Sequence, residues 1–598
     1  MPFGSLPDGR GGARFRLWAP AAKQVELVRE GAGERMRAVP DGWFELDVAG
    51  VEAPPDYAFR IDDGLVVPDP AARATRHGVH GASALFDPHA FDWPDDGWRG
   101  RPWHEAVIYE LHLGCFTPEG TFAAALLRLD ELVALGVTAI ELMPVADFPG
   151  ARGWGYDGVL LFAPKAEYGS PDEFKALVVA AHQRGLMVLL DVVYNHFGPD
   201  GNYLHASAPG FFNPAIETPW GAAIGFEGDA SRTVRDFFIH NALYWIEEFN
   251  LDGLRIDAVH AMHDQGSPHF IDELARAVRE GPGRARHVHL VLENDLNDAP
   301  RLARNPQREA LLADAQWNDD VHHALHVIVT GEADGYYRDY ADAPVRLLGR
   351  ALAEGFAYQG EASAHRGGEG RGTRSAELPP LAFVNSLQTH DQIGNRAFGE
   401  RLSTLAAAAG REDALRALTA CVLLAPSPPM LFMGEEWAAS TPFLYFCDHH
   451  DELGRAVTEG RRAEFGAFGR FKDPATRDAI PDPNAPTTFV RSKLDRSEAT
   501  RAPHAGWLAL YRTLLGLRHA HLTPWLAGAD SGVYAEPAPG TLRIEWPLGF
   551  GRRWHLLAQL AAHAGPAAAE LPGQVVYRSH SRQTLLPPWS VQFALEAA

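Results

Sequence analysis

LMVLLDVVYNH, residues 186–196, decides the fold, and LDGLRIDAVH at 251–260 repeats its logic. In the first, five apolar residues run unbroken from Leu186 to Leu190 and the segment ends in Asp191, Asn195 and His196. A strand that is apolar on both faces must be covered on both faces, which is the condition of a parallel sheet flanked by helices. Polar residues that follow such a run sit at the C-terminal end of the strand, where barrels of alternating strands and helices gather their active-site side chains.

Outward from this stretch the same alternation continues. AVIYELHLG (106–114) and VTAIELMPV (137–145) read as strands, while TFAAALLRLDELVALG (121–136), PDEFKALVVAAHQRG (171–185) and TVRDFFIHNALYWIEEFN (233–250) carry helical periodicity. Repeated over about 400 residues, the pattern favours a (β/α)8 barrel over an open sheet, closed by the helix WLALYRTLLGLRH at 507–519. Before it, ARFRLWAP (13–20), KQVELV (23–28), WFELDV (43–48) and YAFRI (57–61) alternate at period two between Gly, Pro and Asp clusters, the pattern of a small β-sandwich. After it, TLRIEWPLG (541–549), RRWHLLAQLAA (552–562) and WSVQFALEA (589–597) predict a second sandwich. The expected class is therefore α/β: a TIM barrel over 91–522, with an N-terminal β-sandwich over 1–90 and a C-terminal β-sandwich over 523–598. Two interruptions stand out. The segment Gly198 to Gly228 is expected to border a cleft, and Gly360 to Glu377, ending GGEGRGTRSAE, is expected to be a solvated loop because it offers little to bury.

Composition narrows the partners. With 77 acidic against 54 basic residues the formal net charge is −23, a field that repels phosphate backbones and anionic membrane surfaces and suits a neutral substrate. Neither nucleic acid nor membrane is an expected partner, and no stretch reaches the roughly 18 uninterrupted apolar residues of a membrane helix. Cys115, Cys421 and Cys447 lie far apart without metal-ligand spacing and read as reduced core residues, and with no apolar leader at the start a cytoplasmic location is expected.

Four segments end in polar residues: LLDVVYNH (Asp191, Asn195, His196), LRIDAVH (Arg255, Asp257, His260), LVLENDLND (Glu293) and FVNSLQTHDQIGN (His390, Asp391). A single carboxylate among them would be read as a salt bridge or a capped loop; four such ends together point to an active site. Cleavage of a glycosidic bond uses one carboxyl to protonate the leaving oxygen and a second to attack or stabilise the oxocarbenium-like carbon. Arg255 precedes Asp257 by two residues, so both side chains share one face and the guanidinium is expected to keep Asp257 ionised. Glu293 must instead hold a proton, which burial beside apolar walls and carboxylates favours. His196 and His390 stand in neither HxxxH nor HxH spacing, so hydrogen bonding to sugar hydroxyls is favoured over metal ligation, and HVH at 287–289 and HH at 322–323 are read as incidental. In ARGWGYDGV (151–159), Tyr156 is a candidate for stacking on a pyranose face, whereas Trp154 fits core packing equally well.

At these four places the chain resembles the α-amylase family of glycoside hydrolases: DVVYNH (191–196), GLRIDAVH (253–260), the Glu of VLEND (291–295) and the THD of LQTHD (387–391) are similar to its four signature regions and occur in its order. The resemblance implies Asp257 as nucleophile, Glu293 as acid/base and Asp391 as the carboxylate gripping the distorted sugar. It places Tyr156, His196, Arg255 and His390 around the attacked glucose, makes Asp191 a structural partner of Arg255, and turns His260 towards the leaving group. Asn294 and Thr389 are minor departures from the pattern. Longer strings, among them GVHGAS (78–83), TPWGAAIGFEG (218–228) and QWNDDVHHALHVIVTGEADGYYRDY (316–340), narrow the resemblance to members that hydrolyse the α-1,4 bond next to the terminal trehalose of malto-oligosyl trehalose. Trp220, His260 and Asp319 are candidates for the leaving-group side. A glycogen branching enzyme, a transferase with the same carboxylates, is the alternative; a glucan-binding module with a vestigial barrel is disfavoured by the three intact carboxylates. Asn195 occupies a place where relatives bind calcium, but it supplies one oxygen of the six to eight that calcium takes, so no metal or other cofactor is expected. A monomer or weak homo-oligomer is expected.

Overall fold

The computed structural model describes residues 2–51, 56–94, 97–465, 473–567, 570–581 and 583–598. Its centre is a closed barrel of eight parallel strands in sequence order: β1 (Ile108–Leu111), β2 (Ala139–Leu142), β3 (Met187–Val192), β4 (Gly253–Ile256), β5 (His289–Leu292), β6 (Ala315–Trp317), β7 (Phe383–Ser386) and β8 (Pro429–Phe432). β8 closes on β1 with Met430 opposite Ile108. The period-two geometry of each strand sends alternate side chains inward and outward. Ile108, Ala139, Met187, Leu189, Val291, Ala315, Val384 and Met430 fill the inside of the barrel. Tyr109, Ile140, Val188, Leu254, Leu290 and Leu431 belong to the larger apolar core that includes the surrounding helices.

Local sequence fixes the helix ends. Ser170 and Glu173 form a reciprocal capping box at the start of α1 (Pro171–His182), and Pro171 takes the first helical position, where its missing N–H costs nothing. The other helices used below are α2 (Ser231–Glu248), α3 (Phe270–Glu280), α4 (Asp319–Thr330), α5 (Pro344–Glu354), α6 (Glu412–Leu423) and α7 (His504–Leu517).

The N-terminal strands form two antiparallel sheets, one built on Gly12–Trp18 and Trp43–Ala49 and the other on Val25–Arg29 and Asp56–Ile61. Phe15, Leu17, Val25, Leu27, Phe44 and Phe59 fill the space between them. Phe3 and Trp18 carry this unit onto the barrel by edge contacts to Phe237 of α2 and to Phe211. At the other end, where a sandwich is expected, the described residues hold one five-stranded antiparallel sheet spanning Val533 to Glu596. Its second layer is helical: Trp546 donates its indole N–H to Leu352 O on α5, and Trp554 to Leu424 O just past α6. Among the described residues no helix is long and apolar enough to cross a membrane.

Candidate active site

Inward-facing residues turn polar as the strands rise. Glu110, Glu141, Asp191 and Arg255 stand one pleat above the apolar plug, and Asp257 and Glu293 lie just past the ends of β4 and β5. Arg255 has no exposed surface and is the hub of this floor. Its Nη1 donates to Asp191 at 2.8 and 2.7 Å and to Asp257 Oδ1 at 2.7 Å, its Nη2 lies 2.8 Å from Glu293 Oε2, and its plane lies 4.1 Å from the ring centre of Trp317. The Arg255–Asp191 pairing implied by the resemblance is present.

One cation faces three carboxyls, so they cannot all be charged at low cost. Burial raises the pKa of both Asp257 and Glu293, and Arg255 opposes it in each. The guanidinium favours the ionised form of Asp257, as expected, but it is shared among three carboxyls and burial still carries Asp257 above its ordinary value. Contact between the two carboxyls lowers Asp257 and raises Glu293, the direction that favours the proton on Glu293. Asn195 Nδ2 adds a 3.0 Å hydrogen bond to Asp257 Oδ2. Ala258 donates its backbone N–H to Glu293 Oε2 at 2.8 Å, and does so from a left-handed conformation with φ 39° and ψ 53°. A non-glycine residue held there stores strain of about 1–2 kcal/mol. It sits between the two carboxyls.

The neighbouring wall is built on His390. Its Nδ1 pairs with Glu110, its Nε2 meets Tyr156 OH at 2.8 Å, and its ring stacks on Tyr156 at 5.3 Å. Burial disfavours the imidazolium, but Asp391 and Glu110 outweigh it and raise His390 to about 9. Tyr156 OH also donates to Asp191 at 2.7 Å, which ties this wall to the Arg255 hub. His196 meets Asn195 and Tyr156 O, and burial lowers its pKa to about 4, so the ring is neutral. Trp154 packs in the core, stacked on Phe443 with its N–H on Leu444 O. The two departures in the motifs are turn-formers: Thr389 caps the short helix His390–Gly394 that carries Asp391, and Asn294 Oδ1 accepts from Leu296 N.

From Glu293 and Asp391 a cavity of about 350 Å³ opens, lined also by His260, Asp319, Tyr336 and Gln392. Burial and the nearby Glu293, with a smaller push from Asp391 and against Arg371, raise Asp319 to about 8. Trp220 is not among the lining residues. It lies 45% exposed on the turn of the hairpin Phe212–Thr218/Gly221–Ile224, its ring stacked 4.2 Å from that of His196.

Gly360 to Glu377 is mostly exposed, as expected, but it is anchored and shares in the cavity wall. His365, Arg366 and Arg371 of this segment line the cavity, and Arg371 is 5% exposed. Its Nη1 donates to Asp320 Oδ1 at 2.8 Å and to Tyr340 OH at 2.7 Å, while Asp320 also accepts from Asn297 and from Ala357 N. The segment is held by buried polar pairing, which a reading based on apolar content does not detect. Glu110 and Glu141 were missed too. Their signal was present: each is a lone acid inside an apolar strand, in IYEL and AIEL. Both oxygens of Glu141 are buried without a hydrogen-bond partner among the described residues, and burial with the nearby Glu110 and Asp191 pushes its carboxyl well up, which favours the neutral form. Among the described residues no group of three or more His, Cys, Asp or Glu is placed to hold a metal ion.

Residues 96–242 match the family described as Alpha amylase, catalytic domain, and 529–593 match a domain of unknown function. A malto-oligosyltrehalose trehalohydrolase of Arthrobacter ramosus is 46% identical, over 84% of this chain and 87% of the relative. A crystal structure of a putative alpha amylase from Salmonella typhimurium superposes with a TM-score of 0.93 at 45% identity, covering 99% of both chains. A 1,4-alpha-glucan branching enzyme of Burkholderia thailandensis is 37% identical, but over 43% of this chain and 34% of the enzyme.

Proposed function

Since the chain belongs to the malto-oligosyltrehalose trehalohydrolases of the α-amylase family, we propose that it hydrolyses the α-1,4-glucosidic bond beside the terminal trehalose of malto-oligosyl trehalose, releasing trehalose and a maltooligosaccharide. The observation that carries this reading is the placement of Asp257 and Glu293 on the two Nη nitrogens of one buried guanidinium. Two carboxyls held 2.7 and 2.8 Å from the neighbouring Nη atoms of one guanidinium are close together, which supports the separation of about 5–5.5 Å typical of retaining enzymes over the 6.5–9.5 Å that makes room for an attacking water.

In the first step an Asp257 oxygen attacks the anomeric carbon while the bond to the leaving oxygen breaks. Glu293 gives its proton to that oxygen, which departs as a hydroxyl of trehalose. A glycosyl ester on Asp257 and a Glu293 carboxylate remain. Water then enters the vacated side, Glu293 takes its proton, the hydroxide oxygen attacks the same carbon, and the ester bond breaks to restore both carboxyls. Arg255 stabilises the charge on Asp257 and Glu293 as it moves between them. Tyr156 offers a partly open ring to the sugar face beside the buried, charged His390, and Asp391 presents a partly exposed carboxyl to the hydroxyls of the distorted ring. Glu293 and Asp391 line the same cavity as His260, Asp319 and Tyr336, which supports assigning that cavity to the trehalose unit.

Incubation with maltotriosyl trehalose should release free trehalose and maltotriose; absence of trehalose refutes the reading. The transferase alternative predicts instead a shift in the iodine staining of amylose without new reducing ends. A cytoplasmic location is part of the proposal, supported by three buried cysteines, all free thiols.

A further inference from the structure

At the opposite end of the barrel, beneath the starts of β5 and β6, lies a second cavity of about 580 Å³, larger than the one beside Glu293. His289 opens β5 and Leu292 ends it next to Glu293, so the two cavities are a strand length apart, on the order of 10 Å. The volume is that of a small-molecule site. Its wall inverts the charge of the molecule: in a chain of net charge −23, Arg279, Arg286, Arg304 and Arg308 face it together with three histidines, against the two carboxylates Asp314 and Glu309.

Those two carboxylates are already committed. Asp314 accepts from Arg279 at 2.5 Å and from Leu290 N at 2.8 Å, and Glu309 accepts from Asn305 Nδ2 at 2.8 Å. Arg304 has no ion pair of its own among the described residues, since Asp314, whose charge acts on it, is paired with Arg279. Its Nη1 donates to Leu302 O at 2.6 Å and Ala313 O at 3.1 Å, its Nη2 to Asp314 O, and among the described residues it joins no ion pair and its Nε makes no hydrogen bond. Burial accordingly lowers its pKa to about 10. Arg308 uses both Nη atoms on Asp530 and Ala529 O, leaving its Nε, and the His104 and His287 rings likewise have no hydrogen-bond partner among the described residues.

We propose that this cavity binds a phosphate group, carried by free phosphate or by a phosphorylated sugar. Four uncommitted donors on three separate segments, with a guanidinium that has no ion pair of its own among the described residues, suit the several acceptor oxygens of a phosphate better than the two of a carboxylate. Trp103, Pro379 and Leu381 give the remaining volume an apolar wall for an organic part. The histidines at 287 and 289, incidental to the glycosidic site, acquire a place here.

The full chain, titrated calorimetrically with inorganic phosphate and with glucose 6-phosphate, should bind at least one of them saturably at one site. Equal affinities identify phosphate itself as the ligand, and at least tenfold tighter glucose 6-phosphate identifies a sugar phosphate. Because Arg304 also ties down carbonyls, Arg304→Gln is paired with Arg308→Gln and His287→Gln, which sit at the exposed rim. Each should weaken binding tenfold or more while trehalose release stays at the parent rate. No saturable binding of either probe, or unchanged affinity in the folded Arg308→Gln/His287→Gln double variant, overturns the proposal.

Discussion

Replacing Glu293 by Gln isolates the proton transfer from everything else the side chain does. The amide keeps the carboxyl's shape, its oxygen can still accept from Ala258 N and face Arg255 Nη2, and its NH2 can still donate to Asp257. What is lost is the proton for the leaving oxygen. General acid–base catalysis is worth about 10²–10⁴-fold, and a sugar hydroxyl is a poor leaving group without it, so the loss belongs in the upper half of that range. We expect trehalose release to fall about 10³-fold or more, which is about 4 kcal/mol of transition-state stabilisation. Arg255 retains Asp191 and Asp257, so the variant should unfold at a denaturant concentration close to that of the parent. The discriminating assay compares malto-oligosyl trehalose with an aryl malto-oligoside, whose phenolate leaves without a proton. The variant should be impaired far less in releasing the aryl group, should accumulate the glycosyl ester, and should be accelerated by azide, which attacks the ester without needing a base. Equal impairment on both substrates would refute the assignment of Glu293 as the acid, and so would trehalose release within tenfold of the parent.

Three further outcomes follow from the same geometry. Asp319, raised to about 8, holds a proton that the unfolded chain releases near pH 4; the folded state then binds more protons between these values, so this residue makes stability fall as pH rises from about 4 to 8. Asp319→Asn should flatten the pH dependence of the denaturation midpoint over that window, and an unchanged slope counts against the raised value. Arg371→Met leaves Asp320 buried without its cation, a loss of about 3–5 kcal/mol; chemical denaturation should show it, with KM for the trehalose-bearing substrate rising more than kcat falls. Exhaustive chelation should leave full activity, because Asn195 spends its amide on Asp257 and its carbonyl on His196; loss of activity restored by calcium would overturn this.

What the sequence makes legible is what short-range pattern can encode. The apolar runs of 186–190 and 290–292 specify strands buried on both faces, and the polar residues after them specify the rim, so Asp191, Arg255, Asp257 and Glu293 are placed on one floor by the sequence alone. The direction of Asp257's pKa could not be read this way. It depends on how many carboxyls share Arg255, and that count comes from strands 64 residues apart in the chain. The wall around Arg371 was illegible for a different reason. GGEGRGTRSAE has the composition of a solvated loop, and only the tertiary partners Asp320 and Tyr340, 51 and 31 residues away, convert its arginine into a buried anchor. The lone Glu in each of β1 and β2 lay between these cases: visible as an anomaly in an apolar strand, but without a role until the floor was assembled.

Glu110 and His390 stand 280 residues apart, the one on the first strand and the other beyond the seventh. During synthesis Glu110 emerges early and waits, and the eighth strand that fixes its position, ending at Phe432, emerges last of the barrel. A nascent or truncated chain that stops short of Phe432 thus carries Asp257 and Glu293 in full but lacks the closure that sets the charge of the wall beside them. Chemical competence is expected to appear at one point in the life of the chain, when the ring is completed, with incomplete products inert rather than partly active.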